Sequence, residues 1–73
     1  MTAPKISLNQ QIEEIERELK MRNSVYPRWV SAGKIRRGEA EYQIARMEAA
    51  KTTLEWMRDN ETAIRAAVKK EPA

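Results

Sequence analysis

The sequence has no cysteine, no histidine and no phenylalanine, and its only glycines are Gly33 and Gly38. Without cysteine there is no disulfide framework. Without cysteine and histidine there is no zinc site of the usual ligand set, and no imidazole to act as a base. Two isolated glycines do not make a phosphate-cradling loop. No stretch approaches the roughly 20 apolar residues of a membrane span. The opening Met1-Thr2-Ala3-Pro4-Lys5 lacks the apolar core of a secretory signal, so a cytoplasmic protein is expected. Neither sign of charge dominates: fourteen Lys and Arg stand against eleven Asp and Glu, a net +3. That excludes a strongly acidic mimic of nucleic acid, and it does not by itself establish a nucleic-acid binder.

What remains is a chain of 73 residues, 41% apolar and 34% charged, enough for one small domain (1–73). Chains this short bury little surface and usually rely on disulfides, a metal or association. The first two are missing, so a second copy or a partner is expected.

The pattern is helical throughout. Residues 1–6 read as a frayed tail. Ser7 and Gln10 fit a capping box, and Leu8, Ile12, Ile15 and Leu19 then recur at helical spacing. Glu13–Arg17, Glu16–Lys20 and Glu18–Arg22 are spaced as i,i+4 pairs with the acid first. Pro27 lacks an N–H for the carbonyl of Asn23 and disfavours helix at Tyr26, so a kink or short break is expected there, with Pro27 able to open a short second segment. Gly33 suits the position just past a helix end, with Ile35 closing the cap.

A second helix is expected near Arg36, with Arg36 as a poor N-cap, Glu39 at the third helical position and Ile35 stapled against Ala40. Ala40, Ile44, Met47, Ala50, Leu54, Met57, Ile64 and Val68 continue one stripe. A single helix of about 33 residues and about 50 Å is the favoured reading, and a break with capping at Asp59-Asn60 is the alternative. Residues 70–73 read as a second frayed tail. The expected fold is all-α: an antiparallel two-helix hairpin, helix 1 kinked at Pro27, dimerising into a four-helix arrangement. Ile12, Ile15, Leu19, Leu54, Met57 and Ile64 are the expected oligomer interface.

Little in the sequence carries chemistry. Ser7, Ser24, Ser31, Thr52, Thr53 and Thr62 have no histidine to activate them, and carboxylate pairs such as Glu13/Glu14 sit on an exposed helix face. A non-enzyme without cofactor or metal is expected. The anomaly is electrostatic. From Leu19 to Gly38 there is no acid, while Lys20, Arg22, Arg28, Lys34, Arg36 and Arg37 fall there with Tyr26 and Trp29. Such a basic, aromatic turn suits a phosphate backbone, a nucleotide or an acidic protein patch; the plain alternative is a solvated turn. Trp29 is expected to pack in the kink against helix 2. Trp56 shares a face with Tyr42, Ala45, Ala49 and Ala63, a dimer or partner surface of mostly small residues; alternatively the two stripes merge into one wide face buried in a homodimer. Met21, Met47 and Met57 are expected to fill the core.

Val25-Tyr26-Pro27-Arg28-Trp29-Val30, Gly33-Lys34-Ile35, Ala40 to Ile44 and Met47-Glu48-Ala49 together resemble small uncharacterised phage and prophage proteins. Their pattern is V-Y-P-x-x-V-x-x-G-[KR]-[IL] followed by A-x-x-x-I-x-x-M-E. The resemblance spans residues 12–57. Such proteins often carry Ser or Thr after the turn, where Arg36 and Arg37 stand here. The resemblance implies a phage origin and action inside the bacterial host cell, and it supplies no activity. The expected function is therefore binding and modulation, chiefly inhibition, of a host protein such as a defence factor, nuclease or regulator, through Arg28, Trp29, Lys34, Arg36, Arg37 and Trp56. The alternative is weakly sequence-specific binding of nucleic acid or nucleotide through Arg28, Lys34, Arg36 and Arg37. No recognisable helix-turn-helix is present, because no third helix is expected to support one. A structural role in the virion has only helicity in its favour.

Overall fold

A computed structural model describes residues 4–69; the expected tail segments 1–3 and 70–73 lie outside the described residues. The fold is all-α, with α1 over Leu8–Ser31, α2 over Arg37–Asp59 and α3 over Glu61–Lys69, and no strand among the described residues. Helix α1 starts at the expected capping box. The Gln10 backbone N–H donates to Ser7 Oγ at 3.1 Å, and the Ser7 N–H donates to Gln10 Oε1 at 2.9 Å. Two of the donors that every helix start leaves open are thereby satisfied locally.

The charge pairs along α1 differ in part from the i,i+4 expectation. Glu18–Arg22 forms, at 2.8 Å. Arg17 pairs with Glu14 instead of Glu13, since i,i+3 neighbours lie as close on a helix surface. The hydrogen bond from Arg17 to Glu14, and the charge of Glu14, hold the Arg17 guanidinium proton more firmly than usual. Glu16 pairs with Lys51 of α2 at 3.3 Å instead of Lys20.

The expected break at Pro27 does not occur: α1 is unbroken through Pro27 to Ser31. Pro27 forfeits only its own bond to the Asn23 carbonyl, one bond within the last two turns. Helix α1 ends as Gly33 predicts. Gly33 has φ +74°, its N–H donates to the Val30 carbonyl at 3.1 Å, and the Lys34 N–H donates to the Trp29 carbonyl at 2.9 Å. These two bonds are a Schellman motif. Arg36 is the N-cap of α2 and makes no side-chain cap bond. The half-buried Ile35 and buried Ala40 supply the apolar closure of this turn.

The favoured continuous second helix is corrected, because Asn60 interrupts it between α2 and α3. Its backbone N–H and its side-chain Nδ2 both donate to the Trp56 carbonyl, at 3.1 and 2.8 Å. Its backbone sits at φ −113°, ψ 13°. A short amide side chain competes here for a backbone carbonyl, which is why Asn favours helix ends. The Ile64 N–H then donates to the Asn60 carbonyl at 2.9 Å, and helix resumes at once.

Helices α1 and α2 pack against each other in opposite directions. Glu16 meets Lys51. Farther along α1, Arg22 Nη1 donates to the Gln43 carbonyl at 3.2 Å, so later residues of α1 meet earlier residues of α2. This seam is thin. Its fully buried apolar residues are Ile12, 4% exposed, and Ala40, 5% exposed. Ile15, Leu19, Ile44, Met47 and Leu54 are half-buried. The core role expected of the methionines holds only partly, since Met21 and Met57 are exposed where two helices cannot enclose them. The molecule measures 56 × 29 × 19 Å with a radius of gyration of 17.2 Å, against about 11 Å for a compact domain of this length. Among the described residues, no helix is long and apolar enough to cross a membrane.

Candidate functional site

Two surface regions hold the residues that the sequence singles out. The first is the turn end. Arg28 lies in the last turn of α1, Lys34 follows Gly33, Arg36 caps α2 and Arg37 opens it. All four are exposed, and among the described residues none of them forms an ion pair. Arg28 Nη2 donates weakly to Ser24 Oγ at 3.4 Å. Arg22 does not belong to this free group: Glu18 and the Gln43 carbonyl hold it half-buried. The window Leu19–Gly38 carries six bases and no acid, whereas the other 53 residues carry eight bases and eleven acids. At the turn end the fold sets Arg28, Lys34, Arg36 and Arg37 beside two acids, Glu39 in the first turn of α2 and Glu41 in the groove with Arg37.

Trp29 does not take the core role that packing in the kink would give it. Trp29 is 42% exposed and stacks on Tyr26, with ring centroids 5.5 Å apart and planes at 28°. At i,i+3 the two rings lie on one face of α1. Arg22 extends the stack, its guanidinium carbon 5.9 Å from the Tyr26 centroid. The turn end therefore offers an aromatic ledge beside free cations.

A groove between the end of α1 and the start of α2 is lined by Asn23, Tyr26, Pro27, Arg37, Glu41 and Ile44, among others. Sequence reading missed Asn23 and Glu41 as parts of this groove. The signal for Asn23 was Pro27, which leaves the Asn23 carbonyl without a helical donor. Nothing in the periodicity singles out Glu41.

The second region is the outer side of α2. Trp56 is 60% exposed and Tyr42 62%, with Ala45, Ala49 and Ala63 also exposed. Trp56 lies 19 residues beyond Arg37, about 28 Å along a helix, so the six expected partner-binding residues do not form one site. The expected interface residues divide as well. Ile12 is covered within the chain, and Ile15, Leu19, Leu54 and Ile64 are half covered. Met57 and Ile64 line a groove with Lys5 to Leu8, so the segment before α1 shields part of the overhang beyond α1.

Three of the six candidate nucleophiles serve the backbone. Ser7 caps α1, and the Thr52 and Thr53 hydroxyls donate to the carbonyls of Glu48 and Ala49. Among the described residues, no three carboxylates gather as a metal site. Compared with known proteins, the chain matches no protein family, no curated protein and no solved structure at a significant level.

Proposed function

We propose that this chain is a small, non-enzymatic interaction protein of phage type: a helical hairpin that dimerises into a four-helix arrangement and binds a host protein inside the bacterial cell, inhibiting it. The observation that carries the reading is surface. The chain exposes 6357 Å², whereas a compact monomer of its 8.5 kDa would expose about 4,700 Å². The excess, about 1,700 Å², exceeds the roughly 800 Å² per partner of a standard interface. Met21, Trp29, Tyr42, Trp56 and Val68 are large apolar side chains left exposed on that surface.

The test is an affinity pull-down of the tagged protein from bacterial lysate, with and without nuclease, read by mass spectrometry. One host protein in stoichiometric yield that survives nuclease is the expected result. The double variant Arg36→Glu/Arg37→Glu should lose it. No retained protein, or retention indifferent to the turn-end charges, would sink the proposed surface.

A second reading rests on the turn end itself, where free cations border the Tyr26–Trp29 stack. Single-stranded nucleic acid or nucleotide suits stacking rings beside bases. That binding would weaken steeply with salt. A titration of single-stranded DNA at rising ionic strength tests it, and absence of binding at low salt removes it.

A further inference from the structure

We infer that the groove between the end of α1 and the start of α2 holds a short extended segment of a partner protein, in which an acidic, an apolar and a basic side chain follow one another. The inference rests on the host-binding reading above and names the chemistry of the partner's contact segment.

The groove has a volume of about 400 Å³, within the roughly 300–1,000 Å³ of ligand sites. Its floor is apolar: Ala40 is buried, and Tyr26, Val30 and Ile44 are half-buried. Its α2 wall carries two charges, Arg37 and Glu41. They lie on one side of the helix, about 6 Å apart along it. Among the described residues neither forms an ion pair. Base before acid is the weaker order for an i,i+4 pair, and both side chains stay exposed. The α1 wall carries a further polar group. A helix carbonyl points along the axis toward the residue four positions on, and Asn23 and Pro27 both line the groove. Pro27 has no N–H to meet the Asn23 carbonyl, which is left to accept from outside the helix.

These groups select the occupant. Arg37 calls for an acid and Glu41 for a base, so a ligand of one sign is disfavoured. A phosphate backbone would face the Glu41 carboxylate. In an extended chain, alternate side chains fall on one face about 6.6 Å apart, close to the spacing of about 6 Å between Arg37 and Glu41. The first and third side chains of such a segment therefore reach the α2 wall together, and the middle one turns to Pro27 and Val30 on the α1 wall. A backbone N–H of the segment donates to the Asn23 carbonyl, the kind of main-chain contact that holds extended peptides. From Arg37 to Ile44 the groove runs about 10 Å, room for about three extended residues. A second copy does not supply this segment: outside the helices, the described residues 4–7, 32–36 and Asn60 include no acid.

The test titrates the isotope-labelled protein with the blocked tripeptide Glu-Leu-Lys, read by NMR amide shifts, with Gln-Leu-Gln as the neutral control. Expected are shifts centred on Val30, Ala40, Glu41 and Ile44, and binding about tenfold tighter than the control's. Arg37→Glu keeps the fold, since an acid suits a helix start; it should bind Glu-Leu-Lys about tenfold more weakly and prefer Lys-Leu-Lys. Pro27→Ala gives the Asn23 carbonyl a helical donor, and should weaken binding about fivefold with helicity kept or raised. Glu-Leu-Lys that binds no better than Gln-Leu-Gln, or that shifts amides elsewhere, overturns the inference. Undiminished binding by Pro27→Ala overturns the role of the Asn23 carbonyl. The same amides moved by protein concentration alone, or by single-stranded DNA, would give the groove to a second copy or to nucleic acid and overturn the inference too. A peptide that fails while the pull-down retains a host protein overturns this contact and leaves host binding in place. Peptide binding beside an empty pull-down supports the groove and removes the host reading.

Discussion

The two interruptions of the helical chain, at Gly33 and at Asn60, use similar hydrogen bonds and have opposite consequences. At Gly33 the backbone enters the left-handed region, two N–H groups turn back on α1, and the chain reverses to lay α2 against α1. At Asn60 the backbone keeps a negative φ, an amide side chain joins the backbone on one carbonyl, and helix restarts at the next residue. A helix end becomes a reversal when a residue can adopt positive φ cheaply.

The comparison extends to what each end of the molecule holds. The turn end has buried Ala40, a fixed reversal and free cations; the far end has buried Ile12, the capping box and the joint. Truncating Ile12→Ala should have the largest effect, about 2–4 kcal/mol. In a seam this thin it should abolish most of the cooperative unfolding followed by circular dichroism in urea. If stability barely changes, the seam is held at the turn end alone.

Gly33→Val comes next. No atom lies within 4 Å of the added Cβ, so the expected loss of about 1–2 kcal/mol is backbone strain alone, and Gly33→Asn should lose visibly less. Equal losses for the two would show that strain is not what makes glycine necessary. Ser7→Ala should cost about 1 kcal/mol by opening the capping box, with amide exchange quickening at Gln10 first.

Gly38→Ala has the opposite sign. Gly38 lies in the first turn of α2 with ordinary φ and open space around it, so alanine should stabilise by up to about 1 kcal/mol. The smallest effect belongs to the joint. Asn60→Ala removes the competing amide and should raise helicity with a gain of only about 0.5 kcal/mol, fusing α2 and α3. Were helicity to fall instead, the amide would be a cap that α3 needs.

Much of this was legible in the sequence because its causes are local. Ser7 and Gln10 announce a capping box, and Gly33 after an apolar periodic run announces the reversal. Arg36 as N-cap followed from the start of the next stripe. Two readings failed, and at Pro27 the break, one of the two options expected there, did not form; in each case the question was which of two local options the surroundings would favour. Pro27 costs one hydrogen bond wherever it falls, and α1 nevertheless runs on through it. Asn60 can sit inside a helix or end one, and the Trp56 carbonyl drew its amide. Trp29 was expected in the core, and it stays 42% exposed, stacked on Tyr26 three residues away. In the candidate site, the free cations were legible as a run without acids. The groove beside Asn23 and Glu41 was not, because its walls come from two helices.

By itself the sequence determined the helical class, the cap at Ser7, the reversal at Gly33 and the basic turn, since hydrogen bonds between close neighbours and the sign of charge do not depend on distant residues. Only the tertiary structure decided how far each apolar stripe is covered: Ile12 and Ala40 are buried, whereas Ile15, Leu19, Ile44, Met47 and Leu54 stay half-buried. Once Ala40 and Ile12 are buried in the seam between α1 and α2, Tyr42, Ala49 and Trp56 are left on the opposite side of α2, because two helices can cover only one face of each other.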